Sequence, residues 1–338
     1  MDEQKLSIYL EQHMDGFKGP LSLKKFAGGQ SNPTFLITAR SGKYVLRCKP
    51  PGLLLKSAHA IDREYRVTKA LGGTDVPVAT PHHLCCDEDI IGSWFYVMDY
   101  RDGRIFWDPT LPELDNAERT ATYHEMNRVL AAIHSVDLKR QGLLDFGKPG
   151  NYFERQTDRW TRQYRASETE PIDAMEQLLA WVTDNIPPDD GKVCLIHGDF
   201  RLDNFIFHPE KPEIIAVVDW ELSTLGHPLA DLAYQSMQWR MPHASIVKGL
   251  EGIDRKALGI PTEEDYIREY ARRMGGGDID NWPFYLAFSF FRLAAITQGV
   301  MKRSLEGNAS SEKARAVGQL TRPLAEKAIA ILTEQQKL

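Results

Sequence analysis

Apolar and polar positions alternate in short runs through the first hundred residues, which is the pattern of half-buried β-strands. The first three runs are separated by short turns that contain glycine, so they predict a meander of three antiparallel strands. After the third run the apolar spacing becomes helical from Ala58 to Leu71, where Gly72 and Gly73 end the helix. The five predicted strands are Leu21–Phe26, Thr34–Ala39, Tyr44–Cys48, His83–Cys86 and Trp94–Met98.

From Asn116 onward the apolar spacing is mainly helical. One compact group of short strands interrupts this half, at Val193–Ile196, Phe205–Phe207 and Ile214–Val218. The predicted helices are Asn116–Val136, Phe153–Ser167, Pro171–Asn185, His227–Trp239, Thr262–Met274, Asp280–Lys302 and Ser311–Glu334.

This order of elements predicts an α+β fold with two lobes. A small lobe with an antiparallel sheet, Met1–Met98, precedes a large helical lobe, Asp99–Leu338, and a short crossing near Met98–Gly103 joins them. The cleft between two such lobes is the expected ligand site.

Composition narrows the class of protein. The 338 residues suffice for two domains or one large two-lobed domain, and the formal charge of -6 gives no sign of a nucleic-acid partner or a basic membrane patch. The N-terminus lacks signal-peptide features, and the four cysteines lack CxxC or metal-binding spacing, so a cytosolic protein with reduced thiols is expected. The longest apolar stretch, Phe284–Met301, contains Arg292 and Gln298, which predicts a buried core helix rather than a membrane span.

The strongest chemical signal is the run HGDFRLDN at positions 197–204, followed fifteen residues later by Asp219 after an apolar strand. Kinases use this layout in their catalytic loop and metal site. Mg²⁺ prefers oxygen ligands, which Asn204 and Asp219 would supply, while Asp199 would orient the acceptor hydroxyl or take its proton. HGD alone is equally consistent with a tight turn, but the downstream Asn and Asp favour the catalytic interpretation.

A second signal lies between the first two strands, at Gly28, Gly29, Gln30 and Ser31. Glycine lets the backbone approach phosphate closely, and successive N–H groups with a serine hydroxyl can cradle phosphate oxygens. Two glycines between strands usually form only a hairpin. The position at the first turn of the small lobe favours the phosphate-binding interpretation.

Arg47, at the end of the third strand, and Glu64, in the following helix, form the third signal. Kinases hold a cation against a helix carboxylate and aim it at the α- and β-phosphates. That cation is usually lysine, whereas this chain has arginine. Arginine is always charged, but its side chain is longer than that of lysine and its reach therefore differs. Lys49 is the reserve candidate on the same strand face, and a surface salt bridge is the alternative interpretation of the pair.

Seven motifs together resemble one known family: GGQSNPTF, YVLRCKPPG, REY, FYVMDY, HGDFRLDN, VVDWE and GHPLADLAY. They are similar to the aminoglycoside phosphotransferase-like (choline-kinase-like) family, and within it to the branch also found fused to acyl-CoA dehydrogenase domains. The resemblance spans roughly Leu23–Leu324.

The resemblance implies a protein-kinase-like fold and a phosphotransferase that uses ATP or GTP with Mg²⁺. It implies Asp199 as catalytic base, Asn204 and Asp219 as magnesium ligands, Arg47 as a phosphate contact, Met98, Asp99 and Tyr100 as the hinge beneath the adenine, and Asp231 as a brace for the catalytic loop.

The acceptor is the open part of the prediction, and the oligomeric state is not predicted. The branch resemblance implies a hydroxylated acyl compound or its coenzyme A thioester. An aminoglycoside or amino-alcohol would want a strongly acidic cleft. The alternative to an enzyme is a nucleotide-binding pseudokinase without catalysis. Its only support is that residue 47 is arginine where kinases usually have lysine. Arg292, in an apolar helix, should pair with a carboxylate or point into the acceptor cleft, and Arg155 and Arg159 either face solvent or meet an anionic substrate.

Overall fold

The structure, a computed structural model, describes residues 1–26, 32–50, 60–307 and 314–335. These residues form two compact units. The first unit comprises Met1–Ile105, Lys139–Leu143 and Asn204–Ser223, and the second comprises Phe106–Leu138, Leu144–Asp203 and Thr224–Leu338. The contiguous division after Met98 stays a prediction.

Strands and short helices make up the first hundred residues, and longer helices make up most of the later part of the chain. Residues 1–105 form α1 (Glu3–His13), β1 (Leu21–Lys25), β2 (Thr34–Ala39), β3 (Gly42–Cys48), α2 (Ile61–Leu71), β4 (Pro81–Cys85), α3 (Glu88–Ile91) and β5 (Phe95–Asp99). The later elements are α4 (Asn116–His134), α5 (Tyr152–Ser167), α6 (Asp173–Asp184), β6 (Cys194–Ile196), β7 (Phe205–Phe207), β8 (Ile214–Val217), β9 (Thr224–Gly226), α7 (Leu229–Arg240), α8 (Glu263–Arg273), α9 (Trp282–Leu305), α10 (Ala314–Gly318) and α11 (Thr321–Glu334). Short 3₁₀ turns lie at Leu202–Asn204 and Trp220–Leu222.

The first unit contains a five-stranded antiparallel sheet in the order β1-β2-β3-β5-β4. The predicted three-stranded meander is therefore confirmed, and β2 begins and ends at the predicted residues. Helix α1 is absent from the predicted elements. It packs Leu6 and Leu10 against Ile37, Leu46 and Phe95 of the sheet.

The three short strands predicted in the helical half are confirmed, but the prediction that they form one compact group is wrong. Strand β7 pairs with β8 in the first unit, whereas β6 pairs in the second unit with β9, a strand that was not predicted. Three-residue strands carry too little alternation for sequence periodicity to assign their partners.

The predicted helix Ser311–Glu334 is also wrong as one element. Residues 308–313 lie outside the described part, and beyond them the chain forms α10 and α11, separated by Gln319 and Leu320. Helix α10 ends at Gly318, where an added Cβ would lie 2.7 Å from the Met301 side chain of α9. Close packing on α9 therefore requires glycine there.

Helix α9 is the core of the second unit and packs against α5, α7, α10 and α11. By length and composition alone it could cross a membrane, but 78% of its most apolar stretch is buried within the protein. It agrees in type with the predicted buried core helix and carries Arg292 on its buried surface.

Candidate active site

Asn204 and Asp219 come together at one end of the β7–β8 ladder in the first unit. The N–H of Val218 donates to the Asn204 carbonyl at 2.9 Å, so the residues that flank the two strands at this end lie beside each other. Asp219 has φ +66° and ψ +56°, a left-handed conformation that costs free energy in a residue other than glycine. Such backbone outliers concentrate at functional sites, where the surrounding structure enforces them.

Trp220 explains how the chain holds this turn. Its indole Nε1–H donates to the Val217 carbonyl at 3.0 Å, and its ring is almost fully buried. The Ser223 hydroxyl donates to the Trp220 carbonyl at 2.6 Å and closes the 3₁₀ turn. The aromatic residue of the VDWE motif therefore anchors the turn that presents Asp219.

Arg47 lies at the centre of a charged cluster in the same unit. Its Nε lies 2.8 Å from Glu64 Oε2, and its Nη2 lies 2.7 Å from Asp219 Oδ1 and 3.9 Å from Glu221 Oε2. The side chains of Arg47 and Glu64 are 11% and 3% exposed, so this is not the surface salt bridge of the alternative interpretation. The ion pair predicted between Arg47 and Glu64 forms.

In this cluster the Arg47 guanidinium lies close to the carboxylates of Glu64, Asp219 and Glu221. Burial, with a smaller contribution from the neighbouring Asp219 and Glu221 carboxylates, raises the pKa of Glu64 to about 7 against the attraction of Arg47. In the described part of the chain no group of three or more His, Cys, Asp or Glu side chains is arranged to hold a metal. Mg²⁺ typically takes one or two protein ligands and completes its shell with phosphate oxygens and water, which fits Asn204 and Asp219.

Lys49 does not belong to this cluster. Its ammonium lies 3.8 Å from the centre of the Trp94 ring, a cation–π contact, and its backbone N–H donates to the Trp94 carbonyl at 3.0 Å. The structure therefore favours Arg47 over the reserve candidate.

The predicted phosphate loop, Gly28, Gly29, Gln30 and Ser31, lies outside the described residues. The next residue, Asn32, is buried, and its Nδ2 donates to Glu221 Oε2 at 3.4 Å. Neither Asn32 nor Glu221 was given a role from the sequence. Both belong to the quoted motifs, but their 189-residue separation in the chain hides the contact.

The predicted hinge residues Met98, Asp99 and Tyr100 lie at the end of β5 and just beyond it. The Asp99 carboxylate lies 2.6 Å from His82 Nε2 and 3.1 Å from Arg101 Nη2. Its side chain is therefore engaged by neighbours, and its N–H donates to the Thr80 carbonyl. An adenine contact of this segment stays a prediction.

Asp199 lies in the second unit, in the turn that follows β6. Gly198 has φ +83°, which glycine adopts without strain. The fully buried Asp231 accepts hydrogen bonds from the N–H groups of His197, at 2.6 Å, and Gly198, at 2.9 Å. This is the bracing arrangement that the resemblance implies for Asp231.

Asp231 is also held from its other side. His134 Nε2 lies 3.4 Å from Asp231, and His134 Nδ1 lies 2.6 Å from the Tyr270 hydroxyl. Burial alone would raise the pKa of Asp231, but the hydrogen bonds from His134 and from the Gly198 amide hold it below its usual range. An ionised Asp231 therefore fixes the turn that carries Asp199.

A cavity of about 280 Å³ adjoins this turn within the second unit. Tyr234 and Arg201 line it, and both lie close to Asp199: burial, together with the adjacent Asp199 carboxylate, raises the pKa of the Tyr234 phenol. Arg201 forms a two-point ion pair with Asp203, at 2.5 and 2.8 Å. Much of the remaining wall is apolar, including Met237, Met241, Ile246 and Leu293.

Arg155, Arg159 and Arg292, whose roles the sequence left open, contact other parts of the protein. Arg155 donates to the backbone carbonyls of Lys148 and Pro149, and Arg159 stacks on the Trp160 ring. Neither contact supports a binding site for an anionic substrate. Arg292 donates to the Gly198 carbonyl, and in the described residues it forms no ion pair with a carboxylate.

Comparison with known proteins gives consistent matches. A sequence profile of the phosphotransferase enzyme family, APH, matches residues 22–270. Acyl-CoA dehydrogenase family member 10 of Mus musculus is 51% identical over 332 residues, covering 96% of this chain and 31% of that protein. Acyl-CoA dehydrogenase family member 11 of Homo sapiens is 44% identical over 330 residues, covering 96% and 42%. The chain therefore spans only about a third to two fifths of the length of these relatives.

Solved structures show the same fold. A protein from Ralstonia eutropha JMP134, named as a candidate aminoglycoside phosphotransferase, has a TM-score of 0.90 and 49% identity, covering 98% of both chains. A thermostable variant of aminoglycoside phosphotransferase APH(4)-Ia, solved with ADP and hygromycin B, has a TM-score of 0.62 and 14% identity, covering 96% of this chain and 97% of its own. The predicted kinase-like α+β fold is confirmed.

Proposed function

Because the chain belongs to the phosphotransferase enzyme family, we propose that it transfers the γ-phosphate of a magnesium-bound nucleotide, ATP or GTP, to a hydroxyl group of a small molecule. The observation that carries this proposal is the cluster around Arg47. A buried cation is held by Glu64 and Asp219, and Asn204 accepts a backbone hydrogen bond from Val218, the residue before Asp219. This is the arrangement that phosphoryl transfer needs for binding phosphate and metal.

In the proposed reaction each unit has its own task. Asn204 and Asp219 would hold Mg²⁺, which supplies neutralisation of the phosphate charge. Arg47 would use Nη1, for which the described residues offer no acceptor, to bind phosphate oxygens. Asp199 would accept the proton of the acceptor hydroxyl, and Asp231 would keep its turn in place.

For the acceptor we propose a hydroxylated acyl compound or its coenzyme A thioester. The cavity beside Asp199 supports this choice, because its wall is slightly more apolar than polar and its charged side chains are paired. Arg201 is paired with Asp203, and Lys248 with Asp108 at 2.5 Å. Two relatives named acyl-CoA dehydrogenase family members also support an acyl compound.

Aminoglycosides and amino-alcohols are the second candidate class. The structure of APH(4)-Ia with hygromycin B favours them, but that protein is only 14% identical to this chain. A polycation would be attracted by an excess of carboxylates. The balanced charges of the cavity beside Asp199 do not supply that excess.

A screen for ADP release tests the proposed acceptor class. Hydroxylated acyl-CoA thioesters are expected to stimulate ADP release from MgATP, whereas the same thioesters without the hydroxyl group are not. Free hydroxy acids, aminoglycosides and amino-alcohols form the comparison arms. Stimulation by an aminoglycoside alone would favour the second class. Nucleotide binding without ADP release in any arm would favour the pseudokinase.

Asp219→Asn is expected to weaken magnesium-dependent nucleotide binding by roughly 10- to 100-fold, the equivalent of losing one charged interaction. A neutral amide removes much of the attraction for a hard divalent ion. Titration of ATP with and without Mg²⁺ measures the effect. Asp75→Asn, at an exposed carboxylate of the same unit, is the control. If Asp219→Asn keeps the magnesium dependence of the parent, Asp219 is not a ligand.

A further inference from the structure

Arg292 is a buried cation whose place in the second unit is not explained by an ion pair. It lies on α9, is 5% exposed, and has no carboxylate partner among the residues that the structure describes. Removing a guanidinium from water costs several kcal/mol, and an apolar side chain of similar volume often stabilises such a position better. A buried cation at such a position therefore points to a function beyond packing.

The contacts of Arg292 converge on the turn that carries Asp199. Its Nη2 donates to the carbonyl of Gly198, the residue that immediately precedes Asp199. Its guanidinium carbon lies 5.1 Å from the centre of the Tyr234 ring and 5.6 Å from that of Trp160. These two rings and one charge-assisted hydrogen bond offset part of the desolvation cost.

Asp231 and Arg292 act on Asp199 from different directions. Asp231 holds the amide side of the turn through the N–H groups of His197 and Gly198. Arg292 holds the carbonyl side of the same turn, and it also packs on Tyr234, whose phenol lies beside the Asp199 carboxylate. Loss of Arg292 would remove the hydrogen bond to the carbonyl of the Gly198–Asp199 peptide and leave this peptide held through its N–H, which donates to His197 Nδ1 at 3.2 Å.

We propose that Arg292 is a positioning residue, which fixes the direction of the Asp199 carboxylate through the Gly198 carbonyl and the Tyr234 ring. The proposal rests on the proposed function, in which Asp199 accepts the proton of the acceptor hydroxyl. A displacement of about 1 Å at a reacting group can cost about 10²-fold in rate. Arg292 should therefore affect kcat and leave the KM for MgATP unchanged, because the residues proposed to bind nucleotide belong to the other unit.

The test compares Arg292→Met and Arg292→Lys with the control Arg303→Met. Arg303 lies on the same helix at an exposed position, so this control makes the same chemical change away from Asp199. The first readout is steady-state MgATP hydrolysis with water as acceptor. The second is hydrogen exchange of the peptide that contains residues 197–203, which needs no activity. Thermal unfolding shows which variants are folded.

Arg292→Met is expected to lower kcat about 10²-fold, to keep the KM for MgATP within about twofold, and to speed exchange at the 197–203 turn while α7 stays protected. Arg292→Lys, which keeps the charge but loses the planar stacking, is expected to recover part of kcat. Arg303→Met should match the parent. If Arg292→Met does not fold, Arg292→Lys decides alone, with a lower kcat and faster exchange expected.

Parental kcat and parental exchange in a folded Arg292 variant would overturn the proposal. A parent protein that hydrolyses no ATP and phosphorylates no acceptor would instead contradict the proposed function. In that case the exchange of residues 197–203 would still decide whether Arg292 fixes the turn.

Discussion

Asp199→Ala is expected to reduce phosphoryl transfer about 10²- to 10⁴-fold, the range for losing a general base. The affinity for MgATP should change little, because Arg47, Asn204 and Asp219, which would bind the nucleotide and its metal, belong to the first unit, whereas Asp199 belongs to the second. Asp231 and Arg292 hold the backbone of the turn and not the Asp199 carboxylate, so the substitution should leave the fold intact.

Two further variants sharpen this measurement. Asp199→Asn keeps the shape of the side chain and removes its basicity, so it should lose nearly as much activity as Asp199→Ala. Asp158→Ala removes a carboxylate that is 61% exposed on α5, where it pairs with Arg162, and it should keep full activity. Parental rates of acceptor phosphorylation in Asp199→Asn would show that Asp199 is not the base.

Truncation of Arg47 to alanine is expected to weaken ATP binding by about 1.5–3 kcal/mol, the range for a hydrogen bond to a charged group. Arg47→Lys should recover part of this loss, because charge survives while the two-pronged guanidinium does not. Lys49→Ala is the matched control, since its ammonium contacts Trp94 and not the carboxylate cluster. Calorimetric titration of ATP in the presence of Mg²⁺ measures all three.

The carboxylates around Arg47 are also expected to lower the stability of Arg47→Ala. Without the guanidinium, Glu64 would be buried beside Asp219 and Glu221, and breaking a buried pair in this way costs about 3–5 kcal/mol of stability. The same titration is therefore also made in a Glu64→Gln background, which removes the buried charge. If Lys49→Ala weakens ATP binding and Arg47→Ala leaves it unchanged, Arg47 is not the phosphate-binding cation.

Local sequence signals predicted much of the fold. Strand β2 matches its predicted bounds because alternation and a glycine turn define it from both sides. Helix α1 was missed although Asp2 caps it, with the side chain accepting from the Lys5 N–H at 3.0 Å, and Leu6 and Leu10 lie one turn apart. The sequence therefore contained a signal for α1. It contained no signal for the pairing of β6 with β9, because that pairing depends on contacts between segments far apart in the chain.

For the candidate site, too, the sequence predicted some features and not others. Arg47, Glu64, Asp199 and Asp219 could be selected from residue type and motif spacing, because phosphoryl transfer restricts which side chains can serve. The contacts that hold them could not. The Asn32–Glu221 hydrogen bond and the hydrogen bond from Arg292 to Gly198 join residues 189 and 94 positions apart. Only the folded chain brings such partners together.

Transfer of a labelled γ-phosphate shows whether this protein is a phosphotransferase that uses Asp199 as its base. The parent protein and Asp199→Asn are incubated with Mg²⁺ and ATP labelled at the γ-phosphate, in the presence of the hydroxylated acyl-CoA thioesters. We expect the parent to move the label onto an organic acceptor and Asp199→Asn to do so at least about 10²-fold more slowly. Label that stays on ATP, or that reaches the acceptor equally fast with Asp199→Asn, would contradict this expectation.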